Sequence, residues 1–138
     1  MKTREIKFRA WAEHERQMYL PEYTDEENFY ISAEGEVKYL AEYGLYERST
    51  SKEFRKDWHL MQFTGLHDKN GVEVYEGDMV QFVNGNRGQV VFGEFNAMMG
   101  FYVKIMIPSG ANHIPHPVFL EQDDEVIGNI YQHPDLLL

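Results

Sequence analysis

Cysteine is absent from the 138-residue chain. That one absence removes disulfides, thiolate zinc sites and cysteine nucleophiles together. Basic residues are scarce, with 13 Lys plus Arg against 23 Asp plus Glu and a formal net charge of −10. No apolar run is long enough for a membrane-spanning helix. The opening residues, MKTREIKFRAW, put charges where a secretory leader needs apolar side chains, so the cytoplasm is the expected compartment. Dinucleotide-binding Gly-x-Gly-x-x-Gly, the Walker lysine motif and the Gly-x-Ser-x-Gly elbow are all missing, and no cofactor is expected.

The basic residues that do occur sit mostly in the first half. Residues 61–138 hold only Lys69, Arg87 and Lys104 against ten acidic side chains. A duplex-binding surface must neutralise phosphates, so direct nucleic-acid binding is disfavoured. The densest basic cluster is Lys2, Arg4, Lys7 and Arg9. On a strand over Glu5–Trp11, Glu5, Lys7 and Arg9 share one face, read as solvated, while Ile6, Phe8 and Ala10 point inward.

Aromatic residues are plentiful, with nine Tyr, nine Phe and two Trp. They suit half-buried pleated surfaces. Residues 12–28 lose any period and read as a loop. Phe29–Ser32 and Glu36–Leu40 flank Ala33-Glu34-Gly35 as a hairpin. Thr50 with Glu53 is a capping-box pattern, which predicts a short helix near 51–58. From residue 60 the turns are regular. Leu60–Phe63 is a strand, Asp68-Lys69-Asn70-Gly71 and Glu76-Gly77-Asp78 are tight turns, and Asn84-Gly85 is a two-residue hairpin dipeptide after Met79–Val83. Gly88–Phe92, Phe101–Ile107 beyond a small-residue break at Ala97–Gly100, and Val126–Tyr131 complete the set. The expected fold is therefore mainly β. It comprises a small SH3-like barrel or sandwich in the C-terminal half, an N-terminal strand and hairpin, and one short helix. One domain is expected over 1–138, with an N-terminal β region at 1–59 and a barrel-like region at 60–138.

Three stretches carry a resemblance. They are Arg4-Glu5-Ile6-Lys7-Phe8-Arg9-Ala10-Trp11, the run from Leu60 through Gly65-Leu66 and Asp68–Gly71 to Tyr75-Glu76-Gly77-Asp78-Met79-Val80, and Val126-Ile127-Gly128-Asn129-Ile130-Tyr131 with Pro134. Together they are similar to the YopX family of small phage and prophage proteins, with Ala12 standing where that pattern carries Asp. The resemblance implies a mainly β fold, homo-oligomers and a bacterial host cell. It defines no catalytic residue. Read physically, Leu60, Phe63, Leu66, Val74, Tyr75 and Val80 supply core, and Asn70 and Asp78 bond neighbouring backbone. Gln62 and Thr64 face away from that core and are the surface candidates for binding.

His113-Ile114-Pro115-His116-Pro117 is the best candidate for chemistry, because a polyproline path puts His113 and His116 on one side. His133 or a carboxylate of Asp123–Glu125 would have to complete a zinc site, and no fixed spacing provides one. Gly85-Asn86-Arg87-Gly88 has the spacing of a nucleotide clamp but joins strands, so it reads as a turn. Ser32, Ser49, Ser51 and Ser109 sit in polar turns or at a helix cap. Three function classes follow: a non-enzymatic, homo-oligomeric module binding a host or phage protein; an acidic mimic of nucleic acid; and a metal-dependent enzyme using the histidine loop. The terminal Leu136-Leu137-Leu138 must pack on its own domain or on a neighbour. Protein purified without added metal should carry well under one zinc per chain by elemental analysis; stoichiometric zinc would establish the histidine site.

Overall fold

A computed structural model describes residues 5–13, 15–20, 28–31, 37–41, 44–46, 58–95, 97–105, 120–121 and 123–137. The fold is mainly β and accords with a small barrel or sandwich. Among the described residues, the one helical element is a 3₁₀ turn at Pro134–Leu137. The chain divides into two compact units, residues 7–62 and residues 1–6 with 63–138.

In the first unit, β1 (Phe8–Ala12) lies between β2 (Gln17–Tyr19) and the opening half of β6 (Trp58–His67), antiparallel to both. Ala10 pairs with Tyr19 and Leu60, and Ala12 with Trp58. Small side chains on the central strand leave room for the rings on either side, which meet at 5.2 Å between centroids. Ala10, Ala12, Tyr19 and Trp58 form the core of this unit. Arg9 is not on a solvated face. It is 8% exposed and its Nε donates to Met61 Sδ at 3.5 Å. Trp11, its neighbour on that face, is also buried, its Nε1 donating to Glu13 at 2.8 Å. A strand paired on both edges and covered on both faces buries its alternate residues on each side. Ile6, expected inward, precedes the strand and is 65% exposed.

The expected hairpin is β3 (Asn28–Ile31) with β4 (Val37–Ala41), which also pairs with β5 (Gly44–Tyr46). Its turn, Ala33-Glu34-Gly35, lies outside the described residues, as do the serines, Lys2, Arg4 and residues 51–57 of the expected helix. Trp58, placed at the end of that helix, opens β6 instead. β2 occupies part of the expected 12–28 loop, because three residues are too few to show alternation.

In the second unit, β6 pairs onward with β7 (Glu73–Tyr75), and β8 (Asp78–Gln81), β9 (Arg87–Phe95), β10 (Met98–Ile105) and β11 (Glu125–Asn129) form an antiparallel sheet in the order β10-β9-β8-β11. Val74, Val80, Val90 and Val103 are its core, with Phe82, Leu120 and Val126 against them. The β8–β9 connection is longer than the expected two residues. Phe82 N–H donates to Asn86 O at 2.8 Å, enclosing Val83-Asn84-Gly85, and Gly85 N–H closes a turn on Phe82 O. Gly85 takes φ +90°, the left-handed residue that such a three-residue loop requires. The break at Ala97–Gly100 is in fact a tight hairpin, with Met98 opposite Phe95.

The turns are held by buried carboxylates. Asp68 Oδ1 accepts the amides of Asn70 and Val72 at 2.8 and 2.9 Å, and Oδ2 accepts that of Val126 on β11 at 2.9 Å. Asp78 Oδ2 accepts Tyr75 N–H at 2.8 Å, as expected, and Asp124 Oδ2 accepts Glu121 N–H at 2.8 Å. Burial pushes the Asp68 carboxyl up, but the amides of Val126, Val72 and Asn70 and the charge of Lys69 outweigh it and hold it below the ordinary 3.8. The folded state thus binds this proton more weakly than the unfolded chain does. The stabilisation is complete above about pH 5 and lost as pH falls through about 4 and below. Asp68→Ala should cost about 2–4 kcal/mol in chemical denaturation, since three amides lose a charged acceptor. Asp68→Asn should show a smaller fall in Tm between about pH 5 and pH 3 than the wild type.

Candidate interaction surface

β8 pairs with β9 only as far as Gln89, and beyond that point β9 runs with β10 as a two-stranded arm. Strand alternation sorts the arm into two faces. Val90, Phe92 and Glu94 share one face with their cross-strand partners Val103, Phe101 and Met99. Val90 and Val103 are core, so this face begins inside the unit and runs outward. Phe92 is 49% exposed and Met99 67%, and Phe92 packs edge-on against Phe101 at 4.9 Å. Met98, on the other face, is 65% exposed.

Leu66 extends this apolar area. It was expected in the core and is 49% exposed. Gly65 takes φ +89° and the β6–β7 register shifts between Phe63 and His67, so the alternation that would bury Leu66 is broken. A cleft of about 70 Å³ lies between Leu66 and the arm, lined also by Thr64, Val90, Phe101, Val103 and Leu120. The arm is also nearly uncharged for this chain. Residues 87–105 carry Arg87 and Lys104 against Glu94, a net +1, which leaves −11 on the other 119 residues, but alternation puts both bases on the face opposite Phe92 and leaves Glu94 as the one charge on the apolar face.

Of the two expected surface candidates, Thr64 lines that cleft, but its hydroxyl is used locally. Oγ1 donates to Val74 O at 2.8 Å and accepts Leu66 N–H at 3.1 Å. Gln62 is half-buried opposite Phe8. His113 and His116 lie outside the described residues. Three of their four expected helpers have other partners. His133 Nδ1 accepts Asn129 N–H at 3.2 Å, Asp124 holds its turn, and Glu125 is 3.3 Å from Lys69. Among the described residues, no group of three His, Cys, Asp or Glu is placed to hold a metal. The Gly85–Gly88 stretch is a strand connection, as expected. A wider cleft of about 390 Å³ beside the β8–β9 turn has Phe82 and Ile105 among its walls, with Asn84, Asn86 and Glu121 around them.

Leu136 docks on its own unit. A Cβ at Gly128 would stand 2.8 Å from Leu136 Cδ1, so only a glycine permits this approach of the tail to β11. Leu137 is 37% exposed, and Leu138 lies outside the described residues.

The family model described as YopX protein matches residues 7–138. The chain belongs to the YopX family. Two solved structures share this YopX fold. Protein EF1440 from Enterococcus faecalis is 22% identical, with TM-score 0.59 over 99% of this chain and 100% of that one. Protein yopX from Bacillus subtilis is 19% identical, with TM-score 0.54 over 95% and 97%. No protein with a curated description matches the chain. Among the described residues of this YopX protein, no helix is long and apolar enough to cross a membrane. Thr64→Val should lower stability by about 1–2 kcal/mol in a denaturant titration, because Val74 O and Leu66 N–H both lose their partner.

Proposed function

We propose that this YopX protein is a non-enzymatic interaction module of phage or prophage origin that acts in the bacterial cytoplasm and self-associates through the β9–β10 arm. The observation that carries the reading is the arm's outer face. Among the described residues it exposes Phe92 and Met99, with Leu66 and Met98 as the other exposed large hydrophobics on strands. Contiguous apolar surface of this kind marks contact sites on soluble proteins. The charge distribution supports the same face. Two copies of a −10 chain repel least where acid is sparse, and the arm's apolar face carries a single acid, Glu94.

The buried carboxylates support a non-catalytic role. Asp68, Asp78 and Asp124 each accept backbone amides and hold turns, which accounts for their burial without a reaction. The acidic-mimic reading asks for an evenly negative face, and a neutral apolar arm does not favour it. Light scattering after size exclusion at about 100 μM in physiological salt should give a mass above the 16.3 kDa of one chain. A monomer there would mean an interface weaker than roughly 5 kcal/mol and would overturn the proposal.

A further inference from the structure

We infer that the wider cleft beside the β8–β9 turn takes an arginine side chain from a partner protein. Glu121 and Asp124 meet the guanidinium, and Phe82 and Ile105 take its apolar stem. The inference deepens the interaction-module reading above. It does not need self-association, because this cleft shares no lining residue with the one beside Leu66.

The first ground is that the cleft is built and held. Its volume of about 390 Å³ falls in the range of roughly 300–1,000 Å³ typical of sites that bury an organic group. Phe82 packs on the valine core, which fixes one wall. The loop wall is tied by Phe82 N–H to Asn86 O and by Asn86 N–H to Asn84 Oδ1 at 2.9 Å. The second ground is charge. Among the described residues the lining has two acids, Glu121 and Asp124, and no Lys, Arg or His. Asp124 is 2% exposed, and its Oδ2 accepts Glu121 N–H while its Oδ1 bonds none of the described residues. A carboxylate so buried is costly unless a cation pairs with it. The turn that Oδ2 closes also fixes the backbone of Glu121, whose carbonyl accepts Asp124 N–H at 3.2 Å. Two carboxylates on one short turn suit the planar fork of a guanidinium better than a strongly hydrated ammonium. The aromatic wall adds cation–π attraction. The third ground is openness. Val83 is 80% exposed, and Asn84 and Asn86 are exposed too. A free small cation would stay wet against such a wall, whereas a partner's surface covers the wall and dries the pair together.

The probe is a capped peptide, acetyl-Gly-Ala-Arg-Ala-Gly-amide, compared with its citrulline analogue, which keeps the shape and loses the charge. Each is titrated into isotope-labelled full-length protein in physiological salt, and amide shifts are read by NMR. Signals of residues 83–86, 121 and 124 should move and saturate with the arginine peptide, with a dissociation constant of about 1 mM or below. The citrulline peptide, and the variant Glu121→Gln with the arginine peptide, should each bind at least about fivefold more weakly. Glu94→Gln removes the same charge from the arm and should leave binding within about twofold, because salt screens a distant charge. Glu121 and Glu94 are both exposed, so both variants should fold, and their spectra show it directly. No saturating shift at about 10 mM arginine peptide, equal binding of the citrulline peptide, or an equal loss in both variants would overturn the arginine site. Any of these leaves self-association standing, since light scattering reads that separately, and a monomeric protein that binds the arginine peptide as described would support the cleft alone.

Discussion

The Asp68 carboxylate closes its own turn and reaches a strand 58 residues further along the chain. The strands of the second unit are short, with β7 at three residues and β8 at four, so ladder bonds alone position them loosely. Side-chain acceptors make up the difference. Asp68 ties the β6–β7 connection to β11, and Lys69 N–H adds a bond to Asp124 O at 3.1 Å. On the opposite side, the 76–78 turn donates Gly77 N–H to Val90 O and accepts Ile130 N–H on Gly77 O. Two turns therefore hold one sheet from both sides, and the arm extends from what they fix.

How much of this was legible in the residues depends on which period each segment kept. The turns were readable because glycine, Asp and Asn act locally. Gly71 and Gly77 both adopt positive φ where tight turns were expected, and Asp78 bonds back to Tyr75. Asp68 was read only as turn chemistry. Its bond to Val126 is set by tertiary structure and leaves no trace in the spacing. Arg9 was misplaced for a related reason. Alternation marks a strand with one wet face, whereas β1 is buried on both. Leu66 failed in the other direction, because one glycine shifted the register and turned a core residue outward. The candidate surface was invisible in the sequence on that account. Its cleft depends on Leu66 facing out, and the exposed Met99 follows a hairpin expected as a break.

In a chain of net charge −10, acidity would restrict where two copies could meet. With −11 outside residues 87–105, most approaches of two copies would be repelled, and the arm's apolar face, whose one charge is Glu94, would be repelled less. Electrostatics of this kind supplies orientation rather than strength. Strength has to come from apolar burial, which Phe92, Met99 and Leu66 together offer.

The two edges of the β10-β9-β8-β11 sheet are treated differently, and the difference bears on the same point. At the β11 edge the register shifts between Val126 and Gly128, the flank carries Asp124 and Glu125, and the 3₁₀ turn lays Leu136 on Gly128. A bulge, charge and a covering segment are the devices that keep an edge from recruiting another strand. β10 has one charge, Lys104, no proline, and a continuous eight-residue register with β9. Among the described strands it pairs with β9 alone. An unguarded edge beside an apolar face would be a liability in a protein that stayed monomeric. In one that associates, a β10 edge with no second partner among the described strands, beside a guarded β11, would confine strand pairing to one side of the sheet.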